Sequence, residues 1–412
     1  METIKALTDT AVLQIETYPS LTSKEKVKCL IKSCIPGKRP APLDAFSWPN
    51  ALLGKGLLCA WEAVGDESAL RAVAGYLKRW KTKGFPIHYV DNLMNGTLAM
   101  ELEELLRGGA DSDAASVPAS GTLGGAVRAS VSGTSSATAS VSASGIFGAA
   151  EVSEYLTLCR EAADACAAWL KAAPRTENGL LPYRKQHSDW LFADALAMVS
   201  PFACRYGKEY GDKALSELGI RQLTAFMEKG MDIKSGLPYH GYDEKNGMKY
   251  GIIGWGRACG WMLLGLAESL PYVENEGTFT ALEKAYGELL TQVFQWQRED
   301  GGFSWQLSAQ EGHADSSAEG MIGLAYALAK KNLRKAAFDS ESICTFEAEI
   351  CVNENVTRLY EVAKRRIING KVGSCSGECL GFAEYPQVYG SYPWGNGSIL
   401  GFLSLWSKEW EE

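Results

Sequence analysis

Apolar residues recur at three- and four-residue spacing in about twelve segments of this chain, and the breakers fall between those segments. The segments are 5–17, 50–64, 67–80, 92–106, 152–172, 190–205, 212–229, 256–270, 275–297, 316–330, 355–366 and 396–410. Strand-type alternation is scarce. The connections carry a weak repeat of their own: "NGLLPY" (178–183), "SGLPYH" (235–240), "DGGFSW" (300–305) and "GECLGFAEY" (377–385). Each is a glycine turn followed by an aromatic-rich stretch, and they recur roughly every 55–80 residues, about one helical hairpin apart. Stacked hairpins with equivalent loops on one face form a solenoid or a closed ring. Twelve helices make six hairpins, so the expected fold is all-α, a six-hairpin α/α toroid in one catalytic domain over 1–412. Its glycine-aromatic loops would gather at one end and line a cleft. Trp and Tyr clustered in such loops suit a carbohydrate, whose apolar ring faces stack on aromatics.

Composition narrows the function classes. The chain has 412 residues and is 46% hydrophobic, enough for a large core. Its net charge is -8, and it has no long Lys/Arg run of the kind a nucleic-acid binder uses. No stretch reaches the ~20 apolar residues of a membrane span, and the N-terminal stretch does not read as a secretory signal. A soluble, cytoplasmic protein is the expectation. The eleven cysteines include no C-x-x-C, and the four histidines have no metal-type spacing, so no zinc site is expected. Residues 108–149, rich in Ser, Ala and Gly, bury too little to order themselves, and read as a flexible surface insertion or a mobile lid.

Four stretches could carry chemistry. In "HSDWLFADALAMVSPF" (187–202), Asp194 interrupts an apolar run with no Lys or Arg three or four residues away. With a helix from Trp190 to Phe202, Asp194 shares a face with Trp190, Ala197, Met198 and Pro201. Desolvation there would raise its pKa, as a general acid working near neutral pH requires. The alternative is an Asp satisfied by a distant Arg or by backbone donors. In "FPIHYVDNLMNGTLAM" (85–100), Asp91 opens a helix, either as an N-cap or as a site acid, with His88 just before it. In "GLPYHGYDEK" and "GIIGWGRACGW", Trp255 and Arg257 start a helix beside Gly256 and Gly260, and Arg257 could bind a carboxylate in bidentate fashion or lie on the surface. In "HADSSAEGMIGLAYAL" (313–328), Asp315, Ser316 and Ser317 read mainly as a helix cap.

Taken in order, these stretches resemble the unsaturated glycuronyl hydrolases, in particular glycoside hydrolase family 105, the unsaturated rhamnogalacturonyl hydrolases, related to family 88. "VDNLMNG" (90–96) looks like the family segment with the first active-site Asp, and "FADALAMVSPF" (192–202) like the segment with the catalytic Asp. "YHGYD" (239–243), "WGRACGW" (255–261), "DSSAEGM" (315–321), "SCSGECLG" and "WGNGSILGFL" also fit, so the likeness spans about residues 85 to 403. The sequence departs from the family before the catalytic Asp. There "PYRKQHSDW" (182–190) places Tyr183, Arg184 and Lys185 where the family often has a His-Lys pair, with His187 shifted, which bears on sugar specificity.

The resemblance implies an unusual glycosidase. Its substrate would be an oligosaccharide from a polysaccharide lyase, of rhamnogalacturonan or pectin type, with a 4,5-unsaturated uronic acid at the non-reducing end. Asp194 would protonate C4 and then serve as base for the water that adds at C5. Asp91 would hold sugar hydroxyls and tune Asp194, since neighbouring carboxylates disfavour joint ionisation. His240 and Arg257 would hold the uronate or orient water, Trp255 would stack on the ring, and Tyr183 and Arg184 would contact the substrate. No metal or organic cofactor is implied. Other readings of the same fold are a sugar 2-epimerase, which wants paired His, an inverting endoglycosidase, or a non-catalytic toroid that binds a glycan or a protein.

Overall fold

The computed structural model describes residues 2–19, 44–114, 143–184, 187–333, 346–379 and 384–409. Most of the stretch expected to be an insertion or lid, 115–142, lies outside the described residues, as does Lys185. Twelve helices longer than one turn are described. They are α1 (Glu2–Thr17), α2 (Trp48–Val64), α3 (Glu67–Thr82), α4 (Met94–Ala114), α5 (Ala149–Ala172) and α6 (Asp194–Tyr210). The second half comprises α7 (Lys213–Lys229), α8 (Gly256–Ser269), α9 (Glu276–Phe294), α10 (Ser316–Leu333), α11 (Phe346–Arg365) and α12 (Pro393–Glu409). Local chemistry sets several ends. Asp66, Asp212 and Asn275 cap α3, α7 and α9 by accepting from Ser68, Leu215 and Thr278 amides, and left-handed Gly65 and Gly211 stop α2 and α6.

The even-numbered helices form the inner ring of the expected α/α toroid, and glycines set their spacing. A side chain on Gly54 of α2 would strike Leu98 of α4, and one on Gly96 of α4 would strike Phe202 of α6. Gly265 of α8 lies against the backbone of Leu196 and Ala197 on α6. Gly260 of α8 meets Met321 of α10, and Gly320 of α10 meets Ser398 of α12. Gly397 of α12 closes the ring onto α2, where a Cβ would stand 2.6 Å from the Leu53 Cα and Gly56 faces the Gly397 carbonyl. Without Cβ atoms these backbones approach more closely than side-chain ridges allow. The odd-numbered helices pack outside, and one continuous apolar core fills the space between. Among the described residues no helix is long and apolar enough to cross a membrane.

The helix expected from Trp190 starts later. Trp190–Phe192 is a strand, β1, paired antiparallel with β2 (Gly241–Asp243), which pairs with β3 (Lys249–Tyr250). A three-residue apolar run looks the same in a helix and a strand, and the pairing partner lies about fifty residues on. Asp194 is therefore the first residue of α6 and shares no helical face with Trp190. Pro201 lies inside this helix, which continues to Tyr210 and is held between α4 and α8. Two further ribbons, β4–β5 (Ile367–Ile368, Lys371–Val372) and β6–β7 (Cys375–Ser376, Tyr389–Gly390), shape the loops before α12.

The glycine seam gives a stability prediction. Gly56→Ala lowers the unfolding free energy by about 1–3 kcal/mol through overpacking. Gly75→Ala on outer helix α3 meets only Arg79 at an ordinary 3.7 Å and raises it by about 0.5–1 kcal/mol. Urea titration of both variants measures the contrast, and equal effects would mean the seam is not close-packed.

Candidate active site

The N-terminal ends of the inner helices converge on one end of the ring. Trp48, which opens α2, packs on Trp261 of α8 at 5.4 Å and on Trp394 of α12 at 5.1 Å, forming part of the floor. Asp91 lies in the short 3-10 turn Val90–Leu93 that leads into α4. Asp194 opens α6, Trp255 and Arg257 open α8, and Asp315 precedes α10.

Asp194 has a partner that local sequence could not show. The β1–β2 pairing sets His240 beside Ala193, whose amide donates to the His240 carbonyl at 2.9 Å. The ring then reaches Asp194, with Nε2 3.0 Å from Oδ2. On its other side His240 Nδ1 lies 2.9 Å from the Tyr385 hydroxyl. Phe192 and Trp255 meet the imidazole edge-on at 5.1 and 4.7 Å, so the ring is wedged and 3% exposed. Gly251 makes room for this arrangement. Its φ is +78°, and a Cβ there would stand 2.5 Å from His240 Cβ and 2.6 Å from the Tyr385 oxygen.

Asp91 is not used as a cap. Its Oδ2 accepts from Arg184 Nη2 at 2.8 Å, and Asn92 instead bonds the His88 and Tyr89 amides. Arg184 is sandwiched between Tyr183 and Tyr89, 4.1 and 4.7 Å from the ring centroids, and keeps 31% of its side chain open. Tyr183 is close enough to both acids to feel their charges. Burial, then the charge of Asp91, pushes its hydroxyl well above the usual tyrosine range, with Arg184 opposing and Asp194 adding. His88 is exposed at the surface.

Two expected substrate ligands sit deeper than the sequence implied. Arg257 is 2% exposed, and its Nη groups donate to the Ser376 carbonyl and hydroxyl and to the Gly377 carbonyl at 2.9–3.0 Å. It holds a loop in place and does not present an open fork to a carboxylate. Trp255 is also 2% exposed, with His240, Tyr385 and the Arg257 guanidinium around its ring, so it is a wall and not an open stacking platform. Asp315 caps α10 as expected, accepting from the Ser317 amide, and it also accepts from the Ser376 amide and hydroxyl.

Two residues were missed. Tyr385 belongs to the fourth glycine-aromatic loop, which was read for its aromatics and not for a hydroxyl. Glu378 lies in the loop pinned by Arg257, close enough to Asp91, Arg184 and Arg257 to feel their charges. Its carboxyl is pushed up, mainly by the protein around it, although it still reaches solvent. An acid between a glycine and a cysteine in a repeat loop was the available signal. Cys375 and Cys379 are both free thiols.

The chain has recognisable relatives among known proteins. Residues 153–344 match the family model described as Glycosyl Hydrolase Family 88, a span that includes Asp194, His240, Trp255, Arg257 and Asp315 but neither Asp91 nor Tyr385. The chain is 25% identical over 262 residues to the unsaturated rhamnogalacturonyl hydrolase YesR of Bacillus subtilis, covering 62% of this chain and 69% of that protein. Its fold matches a possible member of the GH105 family from Salmonella enterica with a TM-score of 0.71 at 14% identity, over 99% of this chain and 94% of that one. It also matches the unsaturated glucuronyl hydrolase of Bacillus sp. GL1 with a TM-score of 0.63 at 14% identity, over 97% and 94% of the two chains. At these identities the structural likeness bears on the fold, an α/α toroid.

A large cavity of about 870 Å³ lies away from this site, at the opposite end of the ring. Lys55 of α2 bridges it, bonding Glu101 of α4 and, at 2.8 Å, Glu268 of α8. Burial works against the charge of Lys55, but the two carboxylates more than offset it and hold its pKa above the ordinary value. Burial pushes the Glu268 carboxyl up from 4.5 to about 7 against the pull of Lys55. The folded chain then holds a proton between these values that the unfolded chain releases. The contribution of Glu268 to stability is full below pH 4.5 and is lost as pH rises through about 7. Glu268→Gln should therefore lose less stability than wild type between the two, as read by urea unfolding at each pH. An equal loss would show that Glu268 does not hold the proton.

Proposed function

We propose, from the premise that this chain carries a glycosyl hydrolase family 88 domain over residues 153–344, that it releases a 4,5-unsaturated uronic acid from the non-reducing end of lyase-generated oligosaccharides of rhamnogalacturonan type. The observation that carries the reading is the Asp194–His240 pair, set at the end of an α/α toroid where inner-helix N-termini converge. The likeness to a rhamnogalacturonyl hydrolase of Bacillus subtilis supports the substrate class.

The chemistry follows from what each group can do. Asp194 gives its proton to C4 of the C4=C5 double bond, and positive charge develops at C5 and the ring oxygen. The Asp194 carboxylate then takes a proton from a water as that water adds at C5. The resulting hemiketal opens by breaking the bond from C5 to the ring oxygen. This leaves a 5-keto group and turns C1 into a hemiacetal, from which the next sugar departs. The anomeric carbon is never attacked, so carboxylate separation does not predict retention or inversion.

The surroundings suit an anionic sugar although the chain is acidic overall. Each converging helix end carries a partial positive charge of roughly half a unit, and Arg184 adds a full one with access to solvent. Asp91, buried and oriented by Arg184, is placed to accept sugar hydroxyls. Trp190, Tyr250 and Trp305 are half-buried, less enclosed than Trp255. Of the other three histidines, His187 stacks on Trp190, His313 stacks on Tyr389 and His88 is exposed, which speaks against a two-imidazole epimerase.

Asp194→Asn should lower kcat on lyase-treated rhamnogalacturonan by ~10²–10⁴-fold, the usual worth of a general acid, with an unchanged circular dichroism spectrum. Turnover is followed as loss of the ultraviolet absorbance of the conjugated ene-carboxylate. Asp91→Asn should give a smaller loss in kcat/KM with a raised KM. Substantial activity in Asp194→Asn, or equal action of the wild type on intact polymer, would overturn the reading.

A further inference from the structure

We propose that Tyr385 is a positioning residue that fixes the tautomer of His240 and thereby decides which oxygen of Asp194 carries the reactive proton; this rests on the hydrolase reading above for its catalytic meaning, but not for the tautomer itself.

The argument is a count of donors and acceptors. The Tyr385 oxygen accepts from the Ile252 backbone N–H at 3.3 Å, and His240 Nδ1 lies 2.9 Å from the same oxygen. A backbone amide can only donate, and among the described residues Nδ1 is the one acceptor within reach of the phenolic proton, so the hydroxyl donates there. Burial holds the Tyr385 pKa above the ordinary tyrosine value, so that proton is present at working pH. Nδ1 is then the bare nitrogen of a neutral imidazole, and the ring proton sits on Nε2.

That choice propagates to Asp194. Nε2–H donates to Oδ2 across 3.0 Å, so Oδ2 acts as an acceptor in this pair. The acid proton of Asp194 is then left to Oδ1, which has no hydrogen-bond partner among the described residues. The opposite tautomer would turn the pair around. A bare Nε2 would draw the carboxylic proton onto Oδ2, pointing it at the imidazole and away from the substrate. The ring cannot resolve the conflict by flipping, because Phe192, Trp255 and the Gly251 backbone enclose it.

The test uses the full chain labelled with ¹⁵N-histidine. Only four histidines are present, and a His240→Asn variant assigns the His240 resonances by difference. Wild type is expected to show a protonated Nε2 and a bare Nδ1. Tyr385→Phe keeps the ring and removes the hydroxyl. It should move both nitrogen resonances toward a tautomer mixture and lower kcat about tenfold to a hundredfold, the worth of one hydrogen bond to a group that becomes charged. KM should change little, since no bond to the sugar is removed. A proton on Nδ1 in wild type overturns the proposal without any variant. So does a Tyr385→Phe protein whose histidine resonances or kcat match wild type. A wild-type chain inert on every unsaturated uronide, yet with its proton on Nε2 and lost from there in Tyr385→Phe, would sink the hydrolase reading and leave the tautomer assignment standing.

Discussion

The close approach of six inner helices is the constraint on which the rest depends. Helices with ordinary side chains at their contacts stand about 8–10 Å apart. Here Gly54, Gly96, Gly260, Gly265, Gly320 and Gly397 remove the obstructing Cβ at successive contacts around the ring. The ring is tightened at each step, so the N-termini of α6, α8 and α10 come within side-chain reach of one another. Arg257 on α8 can then bond the Ser376 loop, which Asp315 before α10 also holds. His240, two strands away, can touch the first residue of α6.

The two ends of the ring differ in electrostatic character for the same reason. Helix N-termini gather at the Asp194 end, where exposed amides favour anions. Helix C-terminal halves gather at the other end, where carbonyls favour cations. Arg205 and Lys208, near the end of α6, donate there to the carbonyls of Met100 and Pro271, both at 2.9 Å. The carboxylates around that cavity, Glu101, Glu104, Glu209 and Glu268, pair with cations and do not converge on a substrate. The charges that line the larger cavity are therefore paired with one another.

The helices were legible because apolar periodicity is a local signal, and all twelve expected segments correspond to described helices. The ring was legible from the recurrence of its loops. What escaped reading was non-local. "WLF" pairs with a strand about fifty residues away, so the start of α6 was misplaced by four residues. Asp194 looked unpartnered because His240 is 46 residues distant. Arg257 and Trp255 were correctly placed at a helix start, a position that allows side chains to project into a cleft. Gly256 and Gly260 let α10 pack close, and both side chains are buried. Tyr385 and Glu378 arrive at the site by a turn of the loop before α12, which leaves no periodic trace.

The seam between α2 and α12 also has a temporal side. Asn396 of α12 bonds Gln14 of α1 across 382 residues of sequence, and Gly397 closes on Leu53. On a ribosome adding about 5–20 residues per second, the first helices wait on the order of tens of seconds for the partner that completes their ring. Until then α2 presents an unsatisfied glycine-lined groove, and the cleft lacks one of its walls. During synthesis the ring can therefore close only once α12 has emerged to meet α1 and α2.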